Sequence, residues 1–125
     1  MTNLKKKTEY EYYDNGAIKT EIIYSKNDTA KLFSYYKAGQ LKQVSRMKND
    51  KFHGQTICYY PNGDIVLKCF YRNGELNGYY IRYYKNGQIK EKIKYKNNHK
   101  EGGEIGYYSN AFDMIYKFFS KTAKM

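Results

Sequence analysis

The chain has no tryptophan, a single proline (Pro61) and only two cysteines, Cys58 and Cys69. With no CxxC spacing and no histidine pair beside them, these cysteines suggest neither a zinc site nor a disulfide framework. A reducing compartment is the simpler expectation. No apolar run approaches the roughly 18–20 residues that a helix needs to cross a bilayer. Three lysines lie between Met1 and Lys7, but Thr8-Glu9-Tyr10-Glu11 follows them in place of an apolar stretch, so a secretory signal is not expected. The expectation is a soluble, cytoplasmic chain. Acidic groups are scarce as well: 12 Asp and Glu stand against 23 Lys and Arg, a net charge of +11, which favours anionic partners without naming them.

Catalytic groups are equally thin. His53 and His99 sit in polar turns at positions that do not correspond, and are read as solvated. No serine or cysteine stands at a nucleophile spacing, and no glycine-rich phosphate loop is present, because the glycines recur as turn residues. Glu9, Glu11 and Glu21 read as charge balance on a solvent face beside Lys19 rather than as an acid–base cluster. No catalytic residue, metal ligand or cofactor site is therefore expected, and the chain reads as a binder, not an enzyme.

What the chain has in quantity is tyrosine, 17 of 125 residues, and the tyrosines come in register. Tyr12-Tyr13-Asp14-Asn15-Gly16, Tyr35-Tyr36-Lys37-Ala38-Gly39, Tyr59-Tyr60-Pro61-Asn62-Gly63, Tyr83-Tyr84-Lys85-Asn86-Gly87 and a worn Tyr107-Tyr108-Ser109-Asn110-Ala111 follow one another at steps of 23, 24, 24 and 24 residues. Such a period marks a repeat protein. A weaker turn lies about 12 residues after each pair, near Asn27, Asn49, Asn73 and Asn97, so every repeat holds two short strands. A small residue, Ala30, Gly54, Gly78 or Gly102, precedes each new pair, and glycine there suggests positive φ or close backbone approach.

Parity fixes the register of the main hairpins. A three-residue loop ending in a left-handed glycine, such as Pro61-Asn62-Gly63, sets Tyr59 opposite Ile65, and likewise Tyr12 opposite Ile18, Tyr35 opposite Leu41 and Tyr83 opposite Ile89. Counted outward from these pairs, one face should carry Tyr12, Ile22, Phe33, Tyr35, Ile57, Tyr59, Leu67, Cys69, Ile81, Tyr83 and Ile93 and should be the packing face. The other should carry the second tyrosines with Lys19, Lys42, Arg46, Lys68, Arg82, Lys90, Lys92 and Lys94, and Cys58 and Cys69 should fall on opposite faces, which counts against their pairing with each other. The expected fold is mainly β, a single curved antiparallel meander of about nine to ten strands. Residues 1–8 form a basic lead and 9–110 the hairpin repeats. In residues 111–125, Phe112, Ile115, Tyr116 and Phe119 lie at helical spacing and predict a short capping helix over about 111–121.

The pattern Tyr-Tyr-x-Asn-Gly-x-Ile-Lys, continued through a second Asn-Gly turn and a glycine between Tyr59 and Gly102, resembles the variant MORN (membrane occupation and recognition nexus) repeat of YwqK-like bacterial antitoxin proteins. Ala38 and Ala111 are read as replacing the turn glycine, and Met47 as replacing a tyrosine, so the second repeat is expected to be irregular. The resemblance implies stacked hairpins that serve as an interaction surface, and an antitoxin or immunity role in which the chain binds and blocks a cognate toxin.

The residues themselves point to Tyr79–Lys100 and to the second tyrosines as the interface. Tyr36, Tyr60, Tyr80, Arg82, Tyr84, Lys90, Lys92, Lys94 and Tyr108 are the candidate partner-binding residues. Such a surface suits an acidic patch on a protein, nucleic acid with bases stacked on tyrosine or anionic lipid head groups. A lysine-rich solvent face that protects the sheet from aggregation accounts for the same residues.

Overall fold

The computed structural model of the chain describes residues 7–101 and 105–106, and every regular element within them is a β-strand. The strands are β1 (Thr8–Tyr12), β2 (Ile18–Tyr24), β3 (Thr29–Tyr35), β4 (Leu41–Lys48), β5 (Lys51–Tyr59), β6 (Ile65–Arg72), β7 (Glu75–Leu76), β8 (Gly78–Tyr83), β9 (Ile89–Lys96), β10 (His99–Lys100) and β11 (Ile105–Gly106). They pair antiparallel in one open sheet that follows chain order, with β7 on β6 and β11 on β9. The antiparallel meander expected from the repeat is the fold. The helix expected over 111–121, the tail to 125 and Tyr108 lie outside the described residues.

The Tyr-Tyr turns share one geometry. In the third, the Gly63 N–H donates to the Tyr60 carbonyl at 2.9 Å, the Tyr60 N–H donates to the Asp64 carbonyl at 2.7 Å, and Gly63 has φ +96°. Tyr12 faces Ile18, Tyr35 faces Leu41, Tyr59 faces Ile65 and Tyr83 faces Ile89, the pairs that parity requires. The side-chain carbonyls of Asn15, Asn62 and Asn86 each accept the N–H two residues on, which closes the loop. Gly39 holds the left-handed position at φ +106° in the second turn. Ala38 therefore falls at the asparagine position, not the glycine, and the second hairpin keeps its shape while lacking only that side-chain bond.

The second set of turns has positive φ at both central residues: Asn49 and Asp50 at 51° and 62°, Asn73 and Gly74 at 52° and 84°, Asn97 and Asn98 at 50° and 69°. These two-residue loops match the right-handed twist of the strands they join. Each also reaches back one repeat, since the N–H groups of Asn49, Gly74 and Asn98 donate to the carbonyls of Asp28, Phe52 and Leu76 at 2.8–2.9 Å. Gly54 and Gly78 have φ of +111° and +117°, and a Cβ on them would meet Arg46 Cδ at 3.2 Å and Phe70 Cβ at 3.4 Å. Both reasons that the sequence suggests for glycine hold at these two positions.

The two faces are sorted differently from the expectation. One residue past each tyrosine–aliphatic pair the register shifts: Cys58 faces Leu67 and not Val66, so Val66 is the extra residue of a β-bulge. The same shift leaves Lys19, Lys42 and Lys90 as extra residues in the other three hairpins. One inserted residue exchanges the faces of one strand relative to its partner, and parity counted from the turn does not see it. Tyr12, Phe33, Tyr35, Ile57, Tyr59, Ile81 and Tyr83 consequently lie on the lysine-bearing face. Tyr80 and Arg82 lie on the other, opposite Ile93 and Glu91. Cys58 and Cys69 share that face too, because they stand across from Leu67 and Thr56.

The core is a row of small side chains on this second face. Ser45, Thr56, Cys69 and Ile93 are 0%, 3%, 1% and 5% exposed. The Thr56 hydroxyl and the Gln43 side-chain amide both donate to Ser45 Oγ at 2.8 Å, so polar atoms are buried here with partners. Phe52 against Tyr71 (centroids 5.2 Å apart) and Tyr80 against Tyr95 (5.8 Å) flank the row. Burial pushes the Cys69 thiol up to about 11.

Candidate functional site

The opposite face gathers the cations. Lys19, Lys31, Lys42, Arg46, Lys68, Lys90, Lys92 and Lys94 share it by strand alternation and cross-strand pairing, against Glu21, Glu101, which pairs with Lys94 at 3.9 Å, and, beside a turn, Glu75. Glu21 is already engaged by the Tyr35 hydroxyl at 3.0 Å. The core-bearing face has Glu9, Glu11, Glu91 and Arg82 instead, and Arg82 pairs with Glu91 at 3.5 Å. The single sheet thus has one strongly positive side.

That basic face is also apolar. Phe33, Val44, Ile57 and Ile81 run across the strands in one half-buried row, interrupted by Lys68 and ending at Lys92. Around the row, Tyr10, Tyr12, Ile23, Phe70 and Tyr79 are 39–58% exposed. Lys92 Nζ stands 4.3 Å from the Tyr79 ring centroid, with Lys94 at 5.7 Å from the same ring. Cations over aromatic rings, rimmed by exposed apolar groups and short of carboxylates, make a surface fitted to an acidic and partly apolar partner.

Three of the second tyrosines have a structural role that their spacing does not show. The hydroxyls of Tyr13, Tyr36 and Tyr60 donate to the backbone carbonyls of Tyr35, Tyr59 and Tyr83 at 2.6, 2.5 and 3.0 Å, one repeat further along. They are struts between hairpins. The bulge lysines lie over their rings: Lys19 over Tyr13, Lys42 over Tyr36 and Lys90 over Tyr84, at 5.6–5.8 Å from the centroids. Where the bulge residue is Val66, Lys85 from the next turn takes the place over Tyr60 at 5.9 Å.

Of the candidate residues, the structure brings together Lys90, Lys92 and Lys94 on one strand, and places Tyr84 beside Lys90. Tyr36 and Tyr60 are struts near the turns, and Tyr80 and Arg82 are on the far face. Lys31 and Phe70 join the basic face although the sequence reading passed over them, and so does Tyr79, which there only bounds the candidate stretch; strand alternation carries their signal once the bulges are known. His53 is not a solvated turn residue: it is half-buried, and its Nδ1 accepts the Asn73 N–H at 3.1 Å. No cluster of potential metal ligands occurs among the described residues.

Compared with known proteins, the chain has no match among curated sequences. It does match the MORN repeat variant over residues 5–26, 52–73 and 76–97, more than half its length. The stretch between the first two matches is the hairpin that lacks the turn asparagine, yet it has the same tyrosine–aliphatic pair, bulge and strut as its neighbours. Matched segments, period and hairpin geometry agree, and the chain belongs to the MORN repeat variant family.

Proposed function

We propose that the chain is a non-enzymatic protein-binding module whose basic face holds an acidic surface of a partner, and that the partner is a toxin which the chain blocks, as an antitoxin or immunity protein does. The observation that carries this reading is the segregation of charge: the exposed apolar face bears nearly all the strand cations. MORN repeats are often protein- or membrane-binding modules, in keeping with a binder rather than an enzyme. The toxin-blocking role rests on the resemblance of Tyr59–Gly102 to the YwqK-like repeats.

A protein partner is favoured over single-stranded nucleic acid by the state of the tyrosine rings. Bases need open aromatic faces on which to stack. Here Tyr13, Tyr36, Tyr60, Tyr79 and Tyr84 each have a lysine over the ring. The test is co-expression with a toxin-like protein captured on the purified chain. A near-stoichiometric partner whose growth inhibition is relieved supports the proposal. Recovery of nucleic acid or anionic lipid alone, or a captured protein whose activity the chain leaves untouched, contradicts it.

A further inference from the structure

Lys31 stands directly opposite Arg46 on the neighbouring strand. Two like charges in register destabilise a sheet unless something lies between them. The pair opens into a cleft of about 410 Å³ that Lys48 and His53 also line, and no carboxylate is among its lining residues. Arg46 is held there: its stem lies across Gly54, whose missing side chain leaves the room, with Arg46 Cδ 3.2 Å from where a Cβ would stand. His53 Nδ1 accepts the Asn73 N–H, so in the neutral ring the proton sits on Nε2, a donor.

The repeat supplies its own control. Two periods further on, the positions of Arg46 and His53 are Lys94 and Glu101, and these form an ion pair at 3.9 Å. The position of Lys31 is Tyr79, whose ring lies 5.7 Å from Lys94. One copy of this corner is thus balanced by a carboxylate and an aromatic ring. In the other, both are replaced by basic groups.

We propose that the Lys31–Arg46–Lys48–His53 cleft is a binding site for an oxyanion of the phosphate class. Two lysines, an arginine and a histidine line it, a donor set suited to a tetrahedral dianion with several acceptor oxygens. The site is distinct from the Lys90–Lys94 strand and stands whether or not the toxin-blocking reading does.

The test is a titration of the full chain with inorganic phosphate at constant ionic strength, followed by amide NMR. Saturable, one-site shifts at His53, Gly54 and Asn73 are expected. Arg46→Gln and Lys48→Gln should each weaken binding roughly tenfold, while Lys92→Gln should leave it unchanged. Lys48 is exposed, so its variant tests the site even if Arg46→Gln fails to fold. A second arm presents the phosphate on phosphatidic acid vesicles. Binding only there, lost in Lys48→Gln, assigns the anion to a lipid head group, and binding in both arms assigns it to the phosphate itself. Non-saturating shifts spread over all the lysines, no binding in either arm, or full binding by both cleft variants would overturn the proposal.

Discussion

The Tyr36 hydroxyl donates to the carbonyl of Tyr59 at 2.5 Å, joining side chain to backbone across 23 residues. The bond ties one hairpin to the next at the turn end of the sheet, and the equivalent bonds from Tyr13 and Tyr60 repeat it. Tyr36→Phe removes the donor and keeps the ring beneath Lys42. It should lower stability by about 1 kcal/mol and leave partner binding unchanged, as read by chemical denaturation and by the capture assay. A loss of binding without a loss of stability would return Tyr36 to the interface.

Two glycines at positive φ differ in their surroundings. Gly54 has Arg46 packed against the place of its missing side chain, whereas Gly16, at φ +86°, has nothing within 4 Å. Gly54→Ala should cost about 1–3 kcal/mol from backbone strain and displace Arg46 as well. Gly16→Ala should cost less, since it pays for the backbone alone. Denaturation midpoints of the two variants measure the difference.

Alkaline stability follows from the core row. Burial is the first cause that raises the Cys69 thiol, up to about 11, and burial also raises the hydroxyls of Tyr71 and Tyr80. For Cys69 the proton is held more tightly in the folded chain than in the unfolded one. Its contribution is therefore complete below about pH 8.5, the ordinary thiol value, and is lost as pH rises toward 11. Melting temperature should fall across that window, and Cys69→Ala should flatten the Cys69 part, on the order of 3 kcal/mol, leaving the tyrosine part at higher pH.

Much of the fold was legible because the repeat imposes it. The pairs Tyr12–Ile18, Tyr35–Leu41, Tyr59–Ile65 and Tyr83–Ile89 follow from loop length and parity alone. The faces were not legible, because the bulge at Lys19, Lys42, Val66 and Lys90 leaves no mark in a pattern where lysine and valine fit either an exposed or a half-buried site. That hidden residue misplaced Tyr80 and Arg82 while leaving Lys90, Lys92 and Lys94 together, since residues two apart on one strand share a face whatever the register. The strut role of the second tyrosines depends on hydroxyl reach across repeats, which spacing does not encode.

The most direct test of the account compares charge changes on the two faces of one sheet. Lys90, Lys92 and Lys94 together changed to Glu reverse the basic face along β9, and Arg82→Gln neutralises the only arginine or lysine on the core face of β2–β9. Binding of the captured partner should be lost in the triple variant, fall steeply with salt in the parent chain, and survive in Arg82→Gln. Retention of binding by the triple variant, or its loss in Arg82→Gln alone with the fold intact, would contradict the assignment of the basic face as the interface.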